Sequence, residues 1–298
     1  GFIDSASGTA DADDSTGVKR IIDAMRLHSR SMDIMESGCN AIWCLAKAEP
    51  RLKPVLRRSG AIELILKGLT SFEHAARFCE TGCAALWCLA FKDPYNKTLI
   101  GNAGGLDLVV GALLQHGLTA DLSTNMIEHG NIAIANLTAN HSPNRRLAGQ
   151  AGGVKAVLAP LRAHADTPGA TVTKVLTACN ALLALLTDEP ENQFRFASLK
   201  GKPVLEALLQ KYKANQQAVD LIKMILEDTL PANYNTLPRP VACTYGADAF
   251  ALFLKKGGTA FLTSLAKPSY DRRLTVVKQH IVKFSAAGKE PKKINKFR

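Results

Sequence analysis

A nine-residue pattern that recurs at nearly fixed spacing constrains this chain more than any other feature. It first appears as Gly-Cys-Asn-Ala-Ile-Trp-Cys-Leu-Ala from Gly38 and returns at Gly82, more loosely at Gly130, and again at Ala178. The offsets between the four copies are 44, 48 and 48 residues. A period of about 20 to 50 residues is typical of repeat architectures, in which each unit buries its apolar face against the next.

Two further elements keep the same register. Apolar stretches follow Gly60, Gly104 and Gly152, and a polar turn precedes each of the asparagines Asn96, Asn144 and Asn192. Each unit is therefore predicted to hold three helices. Examples are a short helix over 96–103, a second over 106–114, and a long third over 73–91, with a looser fifth copy at 201–209 and 216–226.

The Gly-Gly-apolar corners at 104 and 152, and the Gly-Cys-x-Ala-Leu-x-x-Leu-Ala helix at 82–90, resemble the armadillo repeat family. The resemblance covers about residues 17 to 230. It implies an all-α, right-handed α-solenoid of about five to six three-helix repeats, with the last one degenerate. It also implies that the third helices line a concave groove.

The residues on either side of this repeat body, 17–230, form segments of distinct composition. Residues 1–16 carry four aspartates and no Lys or Arg, and are expected to be disordered. A Pro-rich insertion at 231–246 breaks the helical pattern. Residues 247–287 are predicted to form a degenerate capping repeat, with a separate helical hairpin as the alternative, and 288–298 form a basic tail.

The net charge of +11 is concentrated near the C-terminus. From Lys255 onward, twelve Lys or Arg face only Asp271 and Glu290, a balance of +10. Such a segment suits RNA, an acidic protein or anionic lipid, or is a solvated terminus without a partner. The predicted tail residues are Lys289, Lys292, Lys293, Lys296 and Arg298.

If the third helices line a groove, as the resemblance implies, one stripe of each can be assigned to it. Trp43 and Trp87 are equivalent positions in adjacent units, and a column of glutamates runs beside them, which suits an extended segment carrying Lys or Arg. Packing between repeats for the tryptophans, and a solvated face for the glutamates, are the alternatives. The predicted groove residues are Glu36, Asn40, Trp43, Glu80, Trp87, Glu128, Asn136 and Asn180.

Comparison with importin-α, an armadillo-repeat receptor, narrows this expectation. That family clamps a nuclear-localisation peptide with a Trp and, four residues later, an Asn on the third helix. The Trp position is held here by Asn40, Ala84, Ile132 and Asn180, and the Asn position by Cys44, Cys88, Asn136 and Ala184. Only Asn136 matches the residue that importin-α has at its position, so a nuclear import receptor is not expected.

The sequence offers no motif for chemistry. No histidine accompanies a nucleophile motif, and no phosphate-binding loop or paired carboxylate appears. The seven cysteines mostly fall within apolar helical pattern, as small buried hydrophobes rather than disulfides or metal ligands. No enzyme, cofactor, metal or small-molecule substrate is expected.

Two functions remain. The first is a non-catalytic scaffold that binds a protein segment in the groove. The second is a structural subunit of a large assembly, such as an organellar ribosome or a cytoskeletal complex, whose basic C-terminus reaches RNA or an acidic neighbour. No run approaches the roughly 18 apolar residues of a membrane span. A reducing intracellular compartment is expected, the cytoplasm first and an organelle matrix as the alternative.

Overall fold

The computed structural model describes residues 7–117, 125–166 and 171–229, and this part of the chain is built from helices without a strand. The predicted all-α class is confirmed. The fourteen α-helices are α1 (Ser7–Leu27), α2 (Met32–Ala48), α3 (Lys53–Arg58), α4 (Ala61–Ser71), α5 (Ala76–Ala90), α6 (Pro94–Asn102), α7 (Gly105–His116), α8 (Met126–Thr138), α9 (Ser142–Gln150), α10 (Gly153–Asp166), α11 (Val172–Leu186), α12 (Pro190–Ser198), α13 (Gly201–Lys211) and α14 (Gln216–Lys223). A 3₁₀ turn, Pro50–Leu52, leads into α3, and a π-helical segment, Met224–Thr229, follows α14.

The chain divides into two units, Gly1–Thr229 and Leu230–Arg298. The structure describes helices of the first unit only. The predicted insertion at 231–246, capping repeat at 247–287 and basic tail at 288–298 all lie outside the described residues, as do residues 1–6.

The N-terminal helix begins earlier than the composition predicts. Helix α1 starts at Ser7, inside the segment 1–16 that was expected to be disordered. Val18, Ile22 and Met25 of α1 are buried, and once such a helix is anchored, extending it costs far less than starting a new one. Gly17 therefore lies within a helix rather than at a corner, and the first unit consists of α1 and α2 alone.

The contacts between helices repeat with the same period as the sequence. Four three-helix units follow the first: α3–α5, α6–α8, α9–α11 and α12–α14. Third helices contact one another in succession from α2 through α5, α8 and α11 to α14, and second helices do so from α1 through α4, α7 and α10 to α13. Among the first helices, α6 contacts α9 and α9 contacts α12. Second and third helices thus pack on their counterparts in the next unit, as do first helices from α6 onward.

The corner before each second helix requires a left-handed residue. Gly60, Gly104 and Gly152 occupy this corner with φ of 86°, 76° and 92°, as the Gly-apolar pattern predicts. In the last described unit the equivalent residue is Lys200, which adopts φ 54° despite its side chain.

Second and third helices approach closely at the recurring small residue. A Cβ on Gly82 would lie 2.7 Å from Cδ2 of Leu69 in α4, and one on Gly38 would lie 2.4 Å from Cγ of Met25 in α1. A larger side chain at either position would push the two helices apart. The glycine that opens the nine-residue pattern is therefore a packing requirement.

Cations of the first helices cap the third helices of the same unit. Lys53 donates to the carbonyl of Phe91 at 2.6 Å, Lys97 to that of Ala139 at 2.7 Å, and Arg145 to that of Thr187. These carbonyls belong to the residues that terminate α5, α8 and α11. A positive charge at a helix C-terminus is favourable because the backbone dipoles leave negative charge there. We call these three contacts the cation caps.

The recurring asparagines form a second set of polar contacts, this one between units. Asn96, Asn144 and Asn192 are buried, and each donates Nδ2 to the carbonyl seven residues earlier at 2.9 to 3.0 Å. Asn144 also donates to the carbonyl of Lys97, and Asn192 to that of Arg145, each at 2.9 Å. The buried amide therefore joins its own unit to the preceding one.

Within the described residues, no single helix is both long and apolar enough to cross a bilayer. Helices α6 and α7 taken together reach that length and composition, with a bend of 75° between them.

Candidate partner-binding face

The face formed by the third helices carries the predicted groove residues, and its N-terminal half is filled by contacts between units. Trp43 of α2 reaches across α5 to His129 of α8, with ring centroids 5.5 Å apart in an edge-to-face arrangement. Residue 84, which follows Glu80 by one turn of α5, is an alanine with no exposed surface. The first and third units are therefore in direct contact, and the residue of the second unit at this point is the small Ala84.

Two of the three glutamates in the predicted column already have partners in the next unit. Glu36 is buried and its Oε1 lies 2.7 Å from Nε of Arg77. Glu80 accepts hydrogen bonds from the backbone N–H and the side-chain amide of Asn125, at 3.0 and 3.3 Å. Its carboxylate is also 3.5 Å from Nδ1 of His129. These carboxylates join units together rather than standing free for a ligand.

Burial decides the protonation of His129. It lowers the pKa of the imidazole below its usual value, and the carboxylates of Glu80 and Glu128 oppose that shift with smaller effects. The ring is therefore neutral at neutral pH, and its contact with Glu80 is not a full ion pair.

The tryptophans are half-buried in this face. The indole nitrogen of Trp87 is buried and has no hydrogen-bond partner among the described residues. Trp43 approaches the Cys88 thiol of α5 and the ammonium of Lys47, whose nitrogen is 5.9 Å from the ring centroid. Trp43 thus makes contacts between units. The sequence left two interpretations of the tryptophans open, groove binding or packing between repeats, and Trp43 fits the second.

The remaining predicted residues of the first and third units, Asn40 and Glu128, are half-buried. Neither forms a hydrogen bond or ion pair with other described residues. Their side chains border the filled part of the face without taking part in it.

An open cavity lies farther along the same face, between α8 and α11. Its volume is about 430 Å³. Asn136 and Asn180 both line it, together with the four aliphatic side chains that the sequence places on the same stripes, namely Ile132, Ala135, Leu183 and Ala184. Asn180 is exposed, so the cavity opens to solvent.

The two cavity amides are held in fixed orientations by their own helices. Nδ2 of Asn136 donates to the carbonyl of Ile132 at 2.9 Å, and Nδ2 of Asn180 to that of Leu176 at 3.0 Å. Each amide is left with its oxygen free of hydrogen bonds to other described residues. The cavity therefore presents two preoriented acceptors between apolar walls.

Sequence reasoning missed the residues that close one end of this cavity. Asn140 and Arg145 lie there, next to the end of α8. Arg145 stands in register with Lys53 and Lys97, and that recurring cation was the signal that could have identified it. Asn140 adopts a left-handed conformation with φ 54°, which no pattern in the sequence predicts.

The buried thiols contribute no chemistry to this face. Five of the six described cysteines are buried and only Cys44 is exposed. Burial raises the pKa of Cys39 and Cys179 to about 12, and that of Cys79 and Cys88 to about 11. Such thiols stay protonated, so they act as small hydrophobes. No cluster of three or more potential metal ligands occurs within the described ranges.

The predicted tail residues Lys289, Lys292, Lys293, Lys296 and Arg298 lie outside the described residues.

Comparison with known proteins adds to the description of the fold. No family model matches the chain, and no curated protein matches it. A crystal structure of an engineered protein, a Northeast Structural Genomics Consortium target, is similar with a TM-score of 0.58 and 17% sequence identity, over 88% of this chain and 97% of the other. At that identity the likeness is one of fold alone: the chain shares an all-helical architecture with a protein made by design.

Proposed function

We propose that units α1 to α14 form a right-handed α-solenoid of the armadillo type, and that it serves as a non-catalytic scaffold for a segment of a partner protein. Support for the solenoid comes from the counterpart packing of successive helices and from the left-handed corners that recur with the sequence period. A stack of this kind offers a continuous surface along its third helices.

The observation that carries the function is the cavity between α8 and α11. Its walls come from the same positions of adjacent units, since Ile132 corresponds to Asn180 and Ala135 to Leu183. Aliphatic side chains, amides, threonines and one arginine line it, and His, Cys, Lys and carboxylate side chains are missing from that lining. Such a surface suits recognition, because amide oxygens accept hydrogen bonds from a peptide backbone while the apolar walls receive a side chain.

The bound segment is therefore an extended peptide whose backbone N–H groups face Asn136 and Asn180, with an aliphatic side chain between them. The filled half of the face, around Trp43 and Glu80, lies outside this site. This restricts the sequence-based groove to its C-terminal half.

Selection from a random 12-residue peptide library on the immobilised full chain tests the proposal. Enriched peptides should share an aliphatic position, and calorimetry should show at least about tenfold weaker binding to the Asn136→Ala/Asn180→Ala variant, because two hydrogen bonds of about 1 kcal/mol each are lost. Ala135→Trp, which fills the cavity, should abolish binding.

Asn40→Ala is the matched control, since Asn40 is the counterpart of Asn180 in the first unit. It should leave the affinity within about twofold. Enriched peptides that bind the double variant and Ala135→Trp as well as the native chain would remove the cavity from the proposal.

A further inference from the structure

An exposed aromatic pair marks the corner between α5 and α6. Phe91 is 46% exposed and Tyr95 is 65% exposed. They are the only aromatic side chains in the exposed class among the described residues. Exposed ring surface of this kind is stabilised when a partner covers it and removes it from water.

Cations of α3 and of the turn after α5 surround these rings. The ammonium nitrogens of Lys53 and Lys92 lie 5.6 and 5.3 Å from the centroid of Phe91, and the guanidinium carbon of Arg57 lies 4.4 Å from that of Tyr95. These contacts fix the rings in place. At the measured exposure, ring surface remains open to solvent on both side chains.

The positive charge of this corner is only partly compensated. The carboxylate of Asp93 is 3.3 Å from Arg57 and also caps α6, accepting from the backbone N–H of Asn96. Lys92 is exposed, and no carboxylate is paired with it among the described residues. Lys92 thus carries uncompensated positive charge beside Phe91.

The feature is local to this corner. The positions of Phe91, Lys92 and Tyr95 are held in the next unit by Ala139, Asn140 and Pro143. In the unit after that they are held by Thr187, Asp188 and Glu191. Neither rings nor free cations recur there, so the repeat pattern alone does not explain them.

We propose that this corner, which we call the aromatic corner and define as Phe91, Lys92 and Tyr95, binds single-stranded nucleic acid. The bases stack on Phe91 and Tyr95, and Lys92 neutralises a backbone phosphate. Stacking platforms beside free cations are how single strands are held without a sequence code. An acidic peptide would engage Lys92 but leave the two rings without a role.

The test measures fluorescence anisotropy of a labelled 12-nucleotide oligouridine with the full chain at several salt concentrations. Phe91→Ser/Tyr95→Ser should bind at least about tenfold more weakly, because two stacked bases are lost. Lys92→Gln should reduce the slope of log affinity against log salt by about 0.7, because that is the contribution of one phosphate contact on a single strand.

Lys155→Gln is the matched control, since Lys155 is an exposed lysine of α10 and its loss makes a single equal change of charge. It should leave both affinity and salt slope close to those of the native chain. Thermal melting of each variant establishes that it is folded.

Three outcomes overturn the proposal. The first is no binding by the native chain. The second is binding that Phe91→Ser/Tyr95→Ser and Lys92→Gln both retain, which would place it outside this corner. The third is corner-dependent binding of a glutamate-rich peptide in place of the oligouridine, which would make the partner a protein. The cavity between α8 and α11 shares no residue with this corner, so either proposal can fail without the other.

Discussion

At the residue scale, one buried amide stands out for what it lacks. Asn131 of α8 has no exposed surface, and neither its Nδ2 nor its Oδ1 has a hydrogen-bond partner among the described residues. Its counterparts in the other units are Cys39, Cys83 and Cys179, all buried. Leaving a buried polar group unpaired costs about 1 to 3 kcal/mol.

Asn131→Cys should therefore stabilise the chain by about 1 to 2 kcal/mol, because it restores the residue that the other units use. The melting temperature should rise by about 2 to 4 °C per kcal/mol. The reverse change in the next unit, Cys179→Asn, should lower it by a comparable amount. A melting temperature that falls for Asn131→Cys would mean that the amide has a partner in solution.

The buried amides of the recurring asparagines, in contrast, have hydrogen-bond partners. Asn144→Leu places at 144 the residue type found at Leu52, its counterpart in the unit before Asn96. The carbonyls of Leu137 and Lys97 both lose their donor, and we expect a cost of about 2 to 4 kcal/mol in urea unfolding. Asn136→Leu removes only a bond within its own helix and should cost less than about 1 kcal/mol. Equal losses for the two variants would show that the bond to Lys97 contributes nothing between units.

At the scale of elements, the corner before each second helix can be tested by exchange. Lys200 adopts the left-handed conformation that glycine provides in the other three corners. A left-handed non-glycine residue costs about 1 to 2 kcal/mol, and glycine's extra freedom in the unfolded chain returns part of that. Lys200→Gly should stabilise the chain by about 0.5 to 1 kcal/mol, measured by thermal melting.

Gly104→Ala is the complementary variant. A Cβ there would meet no atom closer than 3.9 Å, so only the backbone angle opposes it. It should lower the free energy of unfolding by about 1 to 2 kcal/mol. If Gly104→Ala were neutral, the corner would not require a left-handed residue.

The elements were also the part of the fold that the sequence predicted best. The expected helices over 96–103, 106–114 and 73–91 correspond to α6, α7 and α5, because glycine corners and apolar periodicity act locally. The start of α1 at Ser7 was not predicted, because the aspartates of residues 1–16 indicated a disordered segment.

The candidate site was less predictable because its contacts join residues far apart in the chain. The sequence placed Asn136 and Asn180 on one face, yet nothing in it showed that Trp43 reaches His129, 86 positions away, and fills half of that face. The aromatic corner was missed for the same reason. Lys53 and Phe91 are unremarkable separately and meet only when the first and third helices of their unit pack together.

At the scale of the whole molecule, stability should depend on pH through half-buried histidines. Burial lowers the pKa of His129, His141 and His164. The unfolded chain therefore binds protons first as the pH falls below the usual imidazole value of about 6.5. Stability conferred by the neutral rings is present above that pH and is lost below it.

The melting temperature should therefore fall between pH 7 and pH 5, and His129→Gln should reduce the size of that fall. His28→Gln, at an exposed position after α1, is the control and should leave the pH profile unchanged. A profile that is identical for His129→Gln and the native chain would exclude His129 as a contributor.

The cation caps give the chain a modular property. Every cap joins the first and third helices of one unit through the same pair of positions, so each of these units carries its own cap. Removing residues 97–144, one 48-residue period, would remove Lys97 together with its partner Ala139, while Lys53 still reached Phe91 and Arg145 still reached Thr187. Genes that encode such a protein can gain or lose whole periods by recombination, and every cation cap that remains keeps both of its partners.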